Sequence, residues 1–60
     1  MKSEWRTGAL VVDTDTGRTG RVMDSVGPYL QLRPPGGGRE WEADPHRVRP
    51  ADAAERQRAA

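Results

Sequence analysis

Three features of the 60-residue sequence predict an all-β fold, a small β-barrel of four to five antiparallel strands. Apolar and polar residues alternate at period two in short runs, most cleanly in Tyr29-Leu30-Gln31-Leu32-Arg33. Clusters of Gly, Pro, Asp and Thr punctuate those runs at short intervals, the spacing of small barrels and sandwiches. The one stretch rich in helix formers, Ala51 to Ala60, has no apolar stripe with which to dock.

Residues 1–7 read as a lead-in, polar except for Trp5, which either caps the barrel or stands out as an exposed anchor. The domain spans residues 8–50. Gly8 opens a first strand, Ala9 to Asp13, apolar on both faces, with Val11 the expected inward residue. Asp13-Thr14-Asp15-Thr16-Gly17 is turn chemistry. Asp and Thr side chains bond nearby amides there, and Gly17 supplies positive φ. Gly20 marks a bulge or a close backbone approach at the start of a second strand, Arg21 to Asp24, with Val22 inward and Arg21 and Met23 outward.

Ser25-Val26-Gly27-Pro28 reads as a connection, because Pro28 lacks an amide donor and belongs at the first position of a strand. Tyr29 to Arg33 places Leu30 and Leu32 inside and Tyr29, Gln31 and Arg33 outside. Pro34-Pro35-Gly36-Gly37-Gly38 is a loop tip. A fourth strand, Arg39 to Ala43, turns Trp41 and Ala43 inward and Glu40 and Glu42 outward. Asp44 caps one short helical turn with Pro45 at its first position. Val48 then returns an apolar side chain to the core in the last strand, and Pro50 closes it. Residues 51–60 are expected to form a frayed, flexible or weakly helical tail, with Asp52 and Glu55 in a capping-box pattern and too little length to be helical alone.

Composition narrows the classes of activity. A chain this short buries a small core and is marginal by surface-to-volume scaling. It has no Cys, so a disulfide scaffold and a thiolate metal site are both excluded. Net charge is +1, and dividing the chain after Arg33 gives five basic against four acidic residues, then five against five. The broad basic footprint of a nucleic-acid binder is therefore missing. Nine of the ten basic residues are Arg, which fits a GC-rich bacterial genome. No apolar run approaches membrane-spanning length, and the first residues lack the apolar core of a signal peptide. A cytoplasmic protein with no membrane contact is the expectation.

Val11-Val12-Asp13 followed by Thr16-Gly17-Arg18-Thr19-Gly20-Arg21-Val22 resembles the KOW motif of ribosomal proteins and transcription elongation factors. Thr16 stands where that family has a basic residue. The run Asp13 to Val22 also resembles the PRC-barrel domains, which bind protein partners and occur in RNA-processing factors. Short strands with a helical turn before the last of them resemble the Src-homology-3-like barrels. The KOW match covers about half the chain, and together these resemblances imply a binding module on a small barrel, contacting a protein or, on the KOW side, RNA or DNA.

No catalytic constellation emerges. His46 is the only His and has no metal-ligand spacing around it. Ser3 and Ser25 lack a base and an orienting acid. Glu40 and Glu42 read as a solvated outer face, and Asp13 with Asp15 fall short of a calcium ligand set. No Gly-Lys-Ser or Gly-Lys-Thr follows the glycines, so no phosphate-binding P-loop is present. The chain is expected to be no enzyme and to need no cofactor or metal.

One set of residues suits recognition. Arg21, Tyr29 and Arg33 are expected to share an exterior face, with Arg18 at one flanking loop and Arg39 beside the glycine loop. Arginine with an aromatic serves single-stranded RNA and protein hot spots alike. The competing expectation is that these arginines pair across the sheet with Glu40, Glu42, Asp24 and Asp13. A protein partner is the first expectation and a nucleic acid the alternative. Oligomeric state is left open.

Overall fold

The computed structural model describes residues 5–59, so Ser3 and the first part of the lead-in lie outside the described residues. Five antiparallel strands form one sheet: β1 (Leu10–Asp13), β2 (Arg18–Val26), β3 (Tyr29–Arg33), β4 (Trp41–Ala43) and β5 (Val48–Pro50), in the order β4-β3-β2-β1-β5. A 3-10 turn (Pro45–Arg47) precedes β5, and a helix, α1 (Ala53–Ala59), follows it. No helix among the described residues is long and apolar enough to cross a membrane.

Period-two alternation builds the core. Val11, Val22, Leu30, Leu32, Ala43 and Val48 form one buried cluster on one face of the sheet, with Trp5, Ala9 and Trp41 packed against its rim. Each fully buried Leu or Val contributes roughly 1.5–3 kcal/mol relative to exposure. Val11, Val22, Leu30, Leu32, Ala43 and Val48 thus face as their spacing predicts. Trp41 is half-buried at the edge of the core, not within it.

The turn between β1 and β2 forms as its chemistry dictates. Asp13 Oδ1 accepts the Asp15 amide at 2.9 Å, Thr16 Oγ1 accepts the Arg18 amide at 3.2 Å, and Gly17 has φ +74°. The 3-10 turn is likewise capped by Asp44, whose Oδ1 accepts the His46 amide at 2.9 Å. Two contacts tie these turns together. Thr14 donates both its amide and its hydroxyl to the Arg47 carbonyl, at 2.8 and 2.6 Å, and Arg47 pairs with Asp15 at 3.0 Å.

Four features differ from expectation, besides a first strand that starts at Leu10 and not Ala9. First, β2 runs nine residues, from Arg18 and not Arg21, so Arg18 is in the strand and not in a loop. It continues through Ser25 and Val26 and turns into β3 over Gly27 and Pro28 alone. Gly27 has φ +58°, and Gly at the first central position suits the type II′ hairpin that matches strand twist. Second, the register shift falls between Val22 and Asp24, making Met23 the bulge residue, while Gly20 serves as the close approach. Third, β4 begins at Trp41, leaving Arg39 and Glu40 in the preceding loop.

The fourth difference is the tail. Residues 53–59 form a held helix, α1, where a frayed, flexible or weakly helical segment is expected. Asp52 and Glu55 exchange amide-to-carboxylate bonds at 2.8 and 2.9 Å, completing the capping box. Arg49 of β5 grips Glu55 through two bonds, 2.9 and 2.7 Å. Ala51 belongs to the packed domain: it is 2% exposed, and its amide donates to the Leu10 carbonyl at 3.0 Å. Val12, on the face away from the main cluster, is also buried, and α1 lies beside that face, lining a recess with Thr19, Pro35 and Gly36. A helix too short to stand alone thus forms where a tertiary ion pair and a cap hold it.

Candidate binding face

The two faces of β2 present different chemistry. On the core side, Gly20 lies opposite Val11 and Arg18 opposite Asp13. The absence of a side chain at Gly20 lets the Trp41 ring lie against the strand: a Cβ there would sit 2.7 Å from Trp41 Cη2. The ring is held at both ends of its polarity. Trp41 Nε1 donates to Asp13 Oδ2 at 2.9 Å, and the Arg18 guanidinium stacks 3.9 Å from the ring centroid. A cation over an indole face is attracted by the ring quadrupole. Asp13 is only 3% exposed, so this hydrogen bond satisfies a carboxylate that would otherwise be buried at high cost. Since Asp13 is on β1 and Trp41 on edge strand β4, the bond spans β2 and β3 and needs a strongly curled sheet.

On the opposite side of β2 and β3 the side chains form three rows. Arg21 stands directly opposite Arg33. Asp24 stands opposite Gln31, whose other neighbour is Glu42 of β4. Val26 stands opposite Tyr29, and these two are the exposed large hydrophobic residues of the described chain, at 51% and 45%. The bulge sets the second and third rows. Without the extra residue at Met23, alternation from Val22 would turn both Asp24 and Val26 inward.

This placement divides the candidate set. Arg21, Tyr29 and Arg33 share the outer face as expected. Arg18 is on the other face, spent on Trp41. Arg39 is exposed in the glycine loop, outside any strand. The expected neutralisation of the arginines is not made among the described residues. Asp13 is taken by Trp41, Asp24 Oδ1 accepts the Ser25 amide at 2.7 Å, and Glu42 receives a long 3.4 Å bond from Gln31. Arg21 donates one guanidinium nitrogen to the Gly8 carbonyl at 2.9 Å, which holds its stem against the sheet and leaves its remaining donors outward.

Trp5 is half-buried against the core rim and donates to the Pro45 carbonyl at 3.4 Å, so it caps the core. His46 is almost fully exposed, 3.4 Å from Asp44. Among the described residues no group of three or more His, Asp or Glu is placed to hold a metal ion. At the Thr19 end of this sheet face, the Arg49 bond and the Asp52 amide hold the Glu55 carboxyl down at about 2. No protein-family model, curated protein or solved structure matches the chain.

Proposed function

We propose that the chain is a small non-enzymatic binding module that contacts a protein partner through the outer face of β2 and β3. The observation that carries this reading is the Val26–Tyr29 pair, an exposed aliphatic–aromatic contact directly across two strands, beside the Arg21–Arg33 pair. Tyr and Arg are the residues that dominate protein interfaces, Tyr as a rigid amphipathic surface and Arg as a bidentate donor. The strand order and the 3-10 turn between β4 and β5 support an Src-homology-3-like barrel as the scaffold.

The nucleic-acid alternative draws on the KOW-like hairpin. Two features favour the protein reading over it. Arg18, in the middle of that motif, is stacked on Trp41 and turned from the outer face. Asp24 and Glu42 stand in the middle row, where a phosphate backbone would be repelled.

The test is capture by the full chain from lysate, repeated with Arg33→Gln and Tyr29→Ala, alongside a salt titration against bulk RNA. A protein retained by the wild type and lost from both folded variants supports the reading. RNA binding with a steep salt slope, indicating several phosphates neutralised, overturns it.

A further inference from the structure

Resting on that reading, we infer that the partner presents an extended segment of the pattern acidic-x-basic-x-apolar, in either chain direction, laid along β3. Arg33, Gln31 and Tyr29 face out from β3 at successive steps of two residues, so the three rows lie roughly 6–7 Å apart. β3 is paired on both sides, so the segment lies across the face by side-chain contact. An extended peptide repeats its side chains at the same spacing, and its alternate residues meet the rows in register.

Each row specifies one kind of side chain. Arg21 and Arg33 are directly opposed like charges, an arrangement unfavourable by itself, and no carboxylate pairs with either among the described residues. A carboxylate placed between two guanidinium groups removes that repulsion and gains charge-assisted bonds. The middle row, Asp24, Gln31 and Glu42, offers carboxylate oxygens and one amide, which suit a cationic donor. It repels a uniformly acidic segment. Val26 and Tyr29 offer apolar area for an aliphatic or aromatic side chain. The order of charges, not their sum, is therefore what the face selects.

Short synthetic peptides framed by Gly and Ser provide the probe: Glu-Ser-Lys-Ser-Leu and its reverse, against Lys-Ser-Glu-Ser-Leu and its reverse. Backbone amide shifts of the full chain are followed with each. The expected result is shifts at Tyr29, Gln31, Arg33 and Asp24 with the Glu-Ser-Lys-Ser-Leu order in one direction, at least about tenfold tighter than with charges exchanged. That factor is what one charge-assisted bond is worth. Arg33→Gln should reduce the affinity about tenfold and flatten its salt dependence. Equal or tighter binding of the exchanged peptides at the same residues overturns the charge order and leaves the face intact. No binding of any peptide at millimolar concentration overturns the extended-segment proposal. Shifts on this face with a single-stranded oligonucleotide and none with peptides overturn the protein reading as well. Concentration-dependent shifts of the same residues without peptide assign the face to a second copy of the chain, and the proposal falls.

Discussion

Trp41 donates its indole N–H to the buried carboxylate of Asp13 across 2.9 Å, joining an edge strand to one three positions away in the sheet. Trp41→Phe keeps most of the ring but removes the donor, leaving Asp13 with the Asp15 amide alone. The expected cost is about 1–3 kcal/mol, the price of an under-satisfied buried group. Asp13→Asn keeps one acceptor but turns its NH2 toward the other donor, the Trp41 indole or the Asp15 amide, so it should cost at least as much. Thermal denaturation of the two variants checks the order, and equal stability of Trp41→Phe and wild type would remove the bond from the fold's energetics.

Gly20 makes that arrangement possible. Gly20→Ala introduces a Cβ 2.7 Å from Trp41 Cη2 and 3.1 Å from Leu32 Cβ, without any backbone strain, since Gly20 is not among the positive-φ residues. The ring must move, which loosens both the Asp13 bond and the Arg18 stack. Overpacking of this kind costs about 1–3 kcal/mol. In a Trp41→Phe background the clashing ring edge is gone, so Gly20→Ala should cost clearly less. A double-mutant cycle that came out additive would contradict the contact.

Glu55 links stability to acid. Its carboxyl is held at about 2 against an ordinary 4.5, first by Arg49, then by the Asp52 amide. The folded value lies below the unfolded one, so the contribution is complete above roughly pH 4.5 and is lost as pH falls through about 2. Helical circular dichroism should decline over that window, before or with the sheet, and Glu55→Gln should remove this part of the decline.

Removal of residues 52–60 should leave the sheet folded, since the main core contains no residue from α1. It removes the Arg49–Glu55 pair and the helix beside Thr19 and Pro35, so a loss of at most about 1 kcal/mol is expected. Removing Ala51 as well deletes the bond to the Leu10 carbonyl and should cost more. Guanidinium denaturation of both truncations distinguishes them, and an unfolded 1–51 chain would make α1 an obligatory part of the domain.

What could be read from sequence follows from how local each determinant is. Leu30 and Leu32 face inward because period two in a strand with clean alternation leaves no second solution. The outward position of Val26 was not legible: it depends on the extra residue at Met23, and a bulge shows only when both strands are paired. Arg18 differs from Val22 by an even number of residues, so its inner-side position was available to parity once β2 was known to begin there. The Arg49–Glu55 pair joins residues six apart, a spacing with no helical or strand meaning, and exists only because α1 folds back on β5.

The Arg21–Arg33 pair makes a prediction that needs no partner. Directly opposed like charges destabilise a sheet by some tenths of a kcal/mol, up to about 1. Arg33→Thr removes the repulsion and places a β-branched residue in a strand. It should therefore leave stability unchanged or raise it by up to about 1 kcal/mol. Added salt supplies the second measurement. Screening weakens repulsion between exposed charges, so wild type should gain more stability between low and physiological ionic strength than Arg33→Thr does. The Arg49–Glu55 pair is present in both proteins, and its own salt response cancels in the difference. A variant more stable than wild type yet unable to bind would mean that the two arginines are held together for recognition at a cost to the fold. If Arg33→Thr is less stable than wild type at every ionic strength, Arg33 serves the sheet itself, and the charge row loses its role as a site.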